Sequence, residues 1–386
     1  MTGVFAILAA LTSVWVCRLT IHLAARLRFG GDETDGVQKF HAHWVPRLGG
    51  VPVFIAMVAA LLGLAKVSGL YVVETAFLIL CLLPAFGVGL IEDLTRAAGV
   101  LSRLIMTMVA AAIGWWLLGA QLNRLDLPFV DGWLQAYPIL AFGLTLVAAG
   151  GVAHAVNIID GCNGLSGFFC VAVLVAISVV AGFVGDELVL RVALIGAASI
   201  AGFLFWNFPF GRIFFGDAGA YLAGFLIAEL AILLVVRNPA VSPWFPMLLM
   251  IYPVWETLFS MYRRAVLSGT SVGHPDALHL HQLIYRRIMR RVWSIDSPSD
   301  KVLANSFTSL YLWVLALLCA VPAVVFWSST GWLAFCCLMI VGLYMTVYRR
   351  LVQFRTPAFM MLRAMNRGEG NSSGAVSSDA PIEDRG

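Results

Sequence analysis

Apolar positions in this chain fall in long unbroken runs, not in the alternation of a half-buried strand or the one-sided stripe of a soluble helix. Eleven runs approach the ~20 residues an α-helix needs to cross the hydrocarbon core of a bilayer. They lie at about 4–24, 50–67, 72–91, 101–120, 138–157, 165–184, 189–207, 218–236, 242–262, 303–327 and 329–348. No Lys or Arg precedes the first run and no convincing small-residue cleavage pattern follows it, so 4–24 reads as a spanning helix and not a signal peptide. The pattern predicts an all-α, polytopic integral membrane helical bundle of about ten to eleven transmembrane helices.

Composition agrees. Hydrophobic residues make up 61% of the chain and charged residues 12%, against roughly 45–50% and about 25% in soluble domains. This excludes secreted disulfide scaffolds, fibres and soluble dinucleotide-binding enzymes. A net charge of +4 gives no reason to expect a nucleic-acid partner. Six of the seven cysteines lie within apolar runs, and none has the spacing of a zinc or redox motif.

The positions of the charges carry more information than their sum. With the N-terminus outside, the inner loops are 25–49, 92–100, 158–164, 208–217 and 263–302, followed by an inner C-terminal tail. The outer connections then carry only Lys66, Arg124, Arg191 and Arg237, which leaves 21 of the 25 basic residues (25 − 4) inside. One membrane domain is expected over 1–350 and a cytoplasmic tail over 351–386, disordered from about 367, where Gly, Ser, Asn and acids replace apolar residues. In 282–293, Arg286, Arg287, Arg290 and Arg291 share one helical face, with Ile284, Ile288 and Val292 roughly opposite. That is the pattern of an interfacial helix, suited to anionic lipid or to a phosphorylated substrate.

In a chain with so few charges, five inner loops stand out. The first, KFHAHWVPRLGG, sets Lys39, His41, His43 and Arg47 before Gly49 and Gly50; it would suit phosphate, or serve as a positive-inside loop. The second sets Glu92 and Asp93 at a helix C-terminus, where acids oppose the helix dipole and a bound cation would relieve them. Magnesium suits such a place, because it takes one or two protein carboxylates and completes its shell with water and phosphate oxygens. The third, NIIDGCNGLSG, crowds Asn157, Asp160, Gly161 and Asn163 into one turn. The fourth ends in FGD, with Phe214 available for packing or base stacking and Asp217 placed as an N-cap acid would be. The fifth joins Arg263 and Arg264 to His274, Asp276, His279 and His281, a set that fits a diphosphate better than a zinc shell. Together, acids suited to magnesium face cations suited to phosphate on one side of the membrane.

These loops resemble, in order, those of the polyprenyl-phosphate N-acetylhexosamine-1-phosphate transferases, the MraY- and WecA-like membrane enzymes of glycosyltransferase family 4. The likeness runs from about Lys39 to His281 through PRLGG, the acidic pair, NIIDGCNGL, FGD and the histidine loop. It implies transfer of a sugar 1-phosphate from a UDP-N-acetylhexosamine to undecaprenyl phosphate in the bacterial cytoplasmic membrane, releasing UMP and initiating a lipid-linked surface glycan. It also implies magnesium, with manganese as a substitute, held by Glu92, Asp93 and Asp217, with either member of the pair also a candidate base. Asn157, Asp160, Gly161 and Asn163 would line the nucleotide pocket, with Phe214 near the uracil. His279 and His281 would meet the diphosphate or sugar, and Lys39 a phosphate. Membrane lipids are the remaining partners, and a homodimer is compatible with the pattern. The chain departs from the family at Glu92, where an aspartate is usual, at Gln282, where relatives continue the histidine cluster, and at Ala220, which replaces a serine.

Two other readings remain at this stage. One is a peptidoglycan-type transferase of the same family, which HPDALHLHQ matches less well. The other is a transporter of a phosphorylated solute, using the acids Glu74, Glu229 and Glu256 within spans, although the sequence shows no convincing internal repeat.

Overall fold

A computed structural model describes residues 1–27, 29–32, 44–268, 278–292 and 297–353. The expectations for Lys39, His41, His43, His274, Asp276 and the tail from 367 fall outside the described residues. Ten described helices are long and apolar enough to cross a membrane. They are α1 (Thr2–Leu27), α2 (Gly50–Ser68), α3 (Val72–Thr95), α4 (Val100–Leu117), α6 (Pro138–Ile159), α7 (Leu165–Val184), α8 (Glu187–Asn207), α9 (Gly216–Arg237), α13 (Pro298–Val325) and α14 (Thr330–Val352).

The run expected at 242–262 forms α10 (Trp244–Tyr262), whose tryptophans, tyrosines, prolines and Glu256 keep it outside those ten. It nevertheless packs against α6, α13 and α14 as a member of the bundle. Between α4 and α6 a short helix, α5 (Pro128–Ala136), forms within the connection expected at 121–137. A two-residue antiparallel pair, β1 (Gly31–Asp32) with β2 (Val45–Pro46), precedes α2.

α9 is the axis of the fold. Of its most apolar 18-residue window, 94% lies inside the bundle, against 22% for α1 and for α14. α3 and α6 flank it most extensively, with α2, α4, α7 and α8 completing the ring. Side chains such as Trp15 on α1 and Leu338 on α14 stay exposed, as a lipid-facing surface requires. Small residues let the central helices close up, the usual device where helices pack without a hydrophobic driving force. A Cβ at Gly50 would come 2.3 Å from the backbone nitrogen of Gly219, and one at Gly89 would come 2.6 Å from the Cα of Ala218. The glycine pair ahead of α2 therefore seats that helix on the first turn of α9. Alongside, Phe214 N–H donates to the Pro46 carbonyl and Gly49 N–H to the Phe214 carbonyl, each at 2.9 Å.

The arginine-rich segment forms α11 (Leu280–Ile284), a π-helical turn (Tyr285–Met289) and α12 (Arg290–Val292). Ile284 and Ile288 are buried, and the segment packs on α13 and α14. Its apolar face thus seals the bundle and does not enter lipid. This differs from the interfacial-helix expectation because a protein surface was available to cover that face.

The close approach of α3 to α9 predicts a contrast within one helix. Gly89→Ala should destabilise by about 1–3 kcal/mol through overpacking and lower the melting temperature in detergent. Gly87→Ala, where an added Cβ meets nothing within 4 Å, should leave it unchanged or slightly raised. Equal melting temperatures would remove the close approach as a constraint.

Candidate active site

The ends that meet at one pole of the bundle are the starts of α2, α4, α7, α9 and α13 and the ends of α3, α6, α8, α10 and α14. The polar residues picked out by sequence are concentrated there. The shared pole follows from helix order, because each inner loop joins the end of one spanning helix to the start of the next.

Asp93 and Asp217 form the centre. The Asp93 side chain is fully buried, and both its oxygens accept backbone N–H groups from the first turn of α9: Asp217 N–H at Oδ1 and Ala218 N–H at Oδ2, each 2.9 Å. The first N–H groups of a helix lack intrahelical partners and lie at the positive end of its dipole. Asp93, awkward at the C-terminal end of its own helix, is thereby matched to the N-terminal end of another. Arg47 Nε stands 3.7 Å from its Oδ1. Gly216 allows the arrangement: its φ is +75°, and a Cβ there would lie 2.1 Å from the Arg47 carbonyl oxygen.

Asp217, one residue into α9, is bound by side chains. Arg47 donates to Oδ1 at 3.3 Å, Asn157 Nδ2 donates to the same oxygen at 3.1 Å, and Arg103 pairs with Oδ2. Asn157 Oδ1 in turn accepts from the Tyr221 hydroxyl at 3.4 Å. Asp217 is not the N-cap that its FGD position suggests; the capping acceptor comes from Asp93 across the bundle.

Arg103 and Tyr221 escaped the sequence reading. Arg103 did leave a signal, because a cation in the first turn of a helix opposes the dipole and needs an acid nearby. Tyr221 left none, since an aromatic within an apolar run reads as packing.

Glu92 turns away from its neighbour and accepts Ala98 N–H at 2.8 Å, closing the turn after α3. Among the described residues no three His, Cys, Asp or Glu side chains form a metal-holding group, so the expected trio of Glu92, Asp93 and Asp217 is not assembled around one point.

The third loop joins two halves of the pole. Asp160 accepts the Ser166 hydroxyl, and burial pushes its carboxyl up from 3.8 to about 6, with Ser166 and Arg47 opposing the shift and Asp217 adding to it. Gly161 leaves room for the His281 ring, whose Nε2 would lie 2.2 Å from a Cβ at that position. The rings of His281 and His279 are nearly parallel, with centroids 5.7 Å apart. Asn163 faces elsewhere: its Nδ2 donates to Ser306 at 3.1 Å, its N–H donates to Asn305 at 2.8 Å, and its carbonyl accepts from Ser309 at 2.6 Å, so it ties the loop to α13.

Arg263 donates to the Leu278 carbonyl at 3.2 Å and to the Tyr348 hydroxyl, and stacks over Phe259. It fastens the histidine loop to α14. Arg264 bonds back to the Ser260 carbonyl at 3.4 Å. Phe214 is half-buried at the pole, while Phe215 stacks on Phe203 in the core. Gln282 is buried and accepts the His279 N–H at 3.2 Å, so the departure at this position caps α11.

Fold and site define a polytopic membrane protein with an acid, arginine and histidine cluster at one pole. The family described as Glycosyl transferase family 4 matches residues 75–235, which include Asp93, Arg103, Asn157, Asp160 and Asp217. A protein of Bacillus subtilis (strain 168), named as a probable undecaprenyl-phosphate N-acetylglucosaminyl 1-phosphate transferase, is 28% identical over 334 residues, covering 83% of this chain and 84% of the relative. The undecaprenyl-phosphate alpha-N-acetylglucosaminyl 1-phosphate transferase of Thermotoga maritima is 26% identical over 251 residues, 65% of this chain and 72% of its own. The decaprenyl-phosphate N-acetylglucosaminephosphotransferase of Mycobacterium tuberculosis (strain ATCC 25618 / H37Rv) is 27% identical over 325 residues, 76% and 74%. The chain is thus similar to glycosyl transferase family 4 over 75–235, and to these relatives over most of its length.

Asp160 predicts a pH-dependent stability. With its carboxyl raised from 3.8 to about 6, the folded chain holds a proton that the unfolded chain has released, so stability falls as pH rises through that window. Asp160→Asn, which keeps the Ser166 acceptor, should melt above the parent at pH 8. The advantage should vanish as pH falls below about 4. A constant difference across thermal melts from pH 4 to 8 would contradict this.

Proposed function

We propose that this chain transfers an N-acetylhexosamine 1-phosphate, N-acetylglucosamine in the first instance, from a UDP-sugar to a polyprenyl phosphate and thereby initiates a lipid-linked glycan. The observation that carries the reading is Asp217, a carboxylate held by Arg47, Arg103 and Asn157 beside Asp160 and the histidine loop. The names of the relatives supply the substrate classes. The positive-inside pattern of the sequence supports a cytoplasmic position for this pole.

In the reaction, an oxygen of the lipid phosphate forms a bond to the β-phosphorus of the donor. The bond from that phosphorus to the bridging oxygen breaks, and UMP leaves with the electron pair. A phosphate monoester is largely ionised near neutrality, since its second pKa is around 6, so the nucleophile needs no base. The work left to the protein is positioning and charge stabilisation. Arg47 and Arg103 are side chains that turn from Asp217 to the diphosphate, and His279 and His281 approach it from the other half of the pole. Asn157, Asp160 and Phe214 would hold the nucleoside.

The residues fit magnesium. Three acids, Asp93, Asp160 and Asp217, share this pole with two arginines, Arg47 and Arg103, and magnesium needs only one or two protein carboxylates. Asp217 would be the principal ligand, because its oxygens are held by movable side chains and those of Asp93 by backbone. Glu92 adds charge from the edge. When bound, the ion would neutralise the diphosphate, and manganese accepts the same oxygen donors.

The transport reading finds no support in the placement of its acids. Glu74 lies in the first turn of α3, at the opposite end from Asp93, Glu229 is buried in α9 against Gly114, and Glu256 sits at the site pole. Among the described residues these three acids are spread from one end of the bundle to the other.

The test uses the purified full chain in detergent with undecaprenyl phosphate, magnesium and either UDP-N-acetylglucosamine or UDP-N-acetylgalactosamine. UMP release should match organic-extractable sugar with one donor and stop with EDTA or without lipid. Asp217→Asn should lower the rate at least about 100-fold, the scale of losing a group that stabilises transition-state charge. Nucleotide release without extractable sugar, or undiminished turnover by Asp217→Asn, would overturn the proposal.

A further inference from the structure

Glu256 is a fully buried acid near the end of α10, and its carboxylate is hydrogen-bonded to the histidine loop and to α14. Oε1 lies 3.0 Å from His279 Nδ1. Leu280 N–H, in the first turn of α11, is shared between the two oxygens at 3.3 Å each. The Tyr344 hydroxyl of α14 donates to Oε2 at 3.0 Å.

A carboxylate that accepts from a backbone N–H and a phenol is an acceptor towards the imidazole as well. His279 Nδ1 is therefore the protonated ring nitrogen, and in the neutral ring Nε2 carries the lone pair. Glu256 thus sets both the tautomer and the orientation of His279. The near-parallel stacking of His279 on His281, and of His281 on Gly161, extends that orientation to the turn that carries Asp160.

Orientation of an imidazole by a buried carboxylate is a general device. It recurs wherever a histidine must present one nitrogen to a reacting group, and removing the carboxylate costs far more than a surface contact would. Among the described residues Glu256 reaches the proposed site through the ring, since its buried oxygens are bonded to His279, Leu280 and Tyr344.

We infer that Glu256 is a positioning residue, which fixes His279 as an Nδ1–H imidazole and, through it, the histidine pair that meets the donor's diphosphate beside the Asp160–Gly161 turn. The inference rests on the transferase reading. Tyr344 supports Glu256 in turn, and Arg263, by binding the Leu278 carbonyl, anchors the residue before His279.

The experiment is a double-mutant cycle on the full chain in detergent, comparing Glu256→Leu and His279→Ala singly and together, with Glu256→Gln as the graded case. Glu256→Leu should lower kcat on the order of 10–100-fold, as loss of an orienting partner does, and leave the KM for polyprenyl phosphate unchanged. Glu256→Gln, which keeps an oxygen acceptor for Nδ1 but loses the charge, should fall in between. In the His279→Ala background Glu256→Leu should cost no more than about twofold, because residues acting as a unit are non-additive. Histidine 15N spectra should show the His279 tautomer shifting in Glu256→Leu.

Additive losses, a matching rise in the lipid KM, or an unchanged tautomer would each overturn the inference. Where Glu256→Leu does not fold, the cycle is run with Glu256→Gln, and Tyr344→Phe should reproduce a smaller loss in the same direction. Failure of the parent protein to transfer any sugar would instead count against the transferase reading, so the two failures are distinguishable.

Discussion

The interaction on which the site depends is the pair of hydrogen bonds from the first turn of α9 to the carboxylate of Asp93. α9 is the axis of the bundle, and its N-terminal N–H groups would otherwise point into a buried space without partners. Asp93 satisfies two of them from another helix, with both oxygens, and thereby fixes the axial position of α3 against α9. Everything else at the pole takes its place from this join. Gly216 makes the turn into α9, Gly50 seats α2 beside it, and Arg47 is carried in between the two aspartates.

A division of labour follows from what holds each acid. Asp93 is held by backbone, which cannot leave without unwinding α9. Asp217 is held by the side chains of two arginines and an asparagine, which can change partners without disturbing a helix. The same distinction separates Asn157, linked to Asp217, from Asn163, which is bonded to α13, and separates Arg103 from Arg263. Fixed contacts build the pole and exchangeable ones remain at its centre, an arrangement that would suit the proposed transfer, which consists mostly of positioning and electrostatics.

The sequence made the large features legible and left the pairings obscure, for physical reasons. Spanning helices announce themselves by length and apolarity, so all ten described spans fall on expected runs, and helix order alone brings the polar loops to a shared pole. Partner choice has no such signal. Glu92 and Asp93 look interchangeable in sequence, yet one helical step of about 100° turns Asp93 inward to α9 and leaves Glu92 to close a surface turn. Glu256 reads as a charge in a span and becomes intelligible only once α11 folds back on it. Asn163 lies in the same dense motif as Asn157 and Asp160, and only the position of α13 shows that it faces away. Arg103 was readable in principle, as a cation at the wrong end of a helix.

Hydrogen exchange measured on peptides covering residues 213–221 tests the Asp93–α9 join most directly. Asp93→Ala should selectively accelerate exchange of the Asp217 and Ala218 amides, while the rest of α9 stays protected and Glu92→Ala has no such effect. Equal protection in the parent and both variants, or equal loss in both variants, would contradict the claim that Asp93 alone of the pair holds the axis of the bundle.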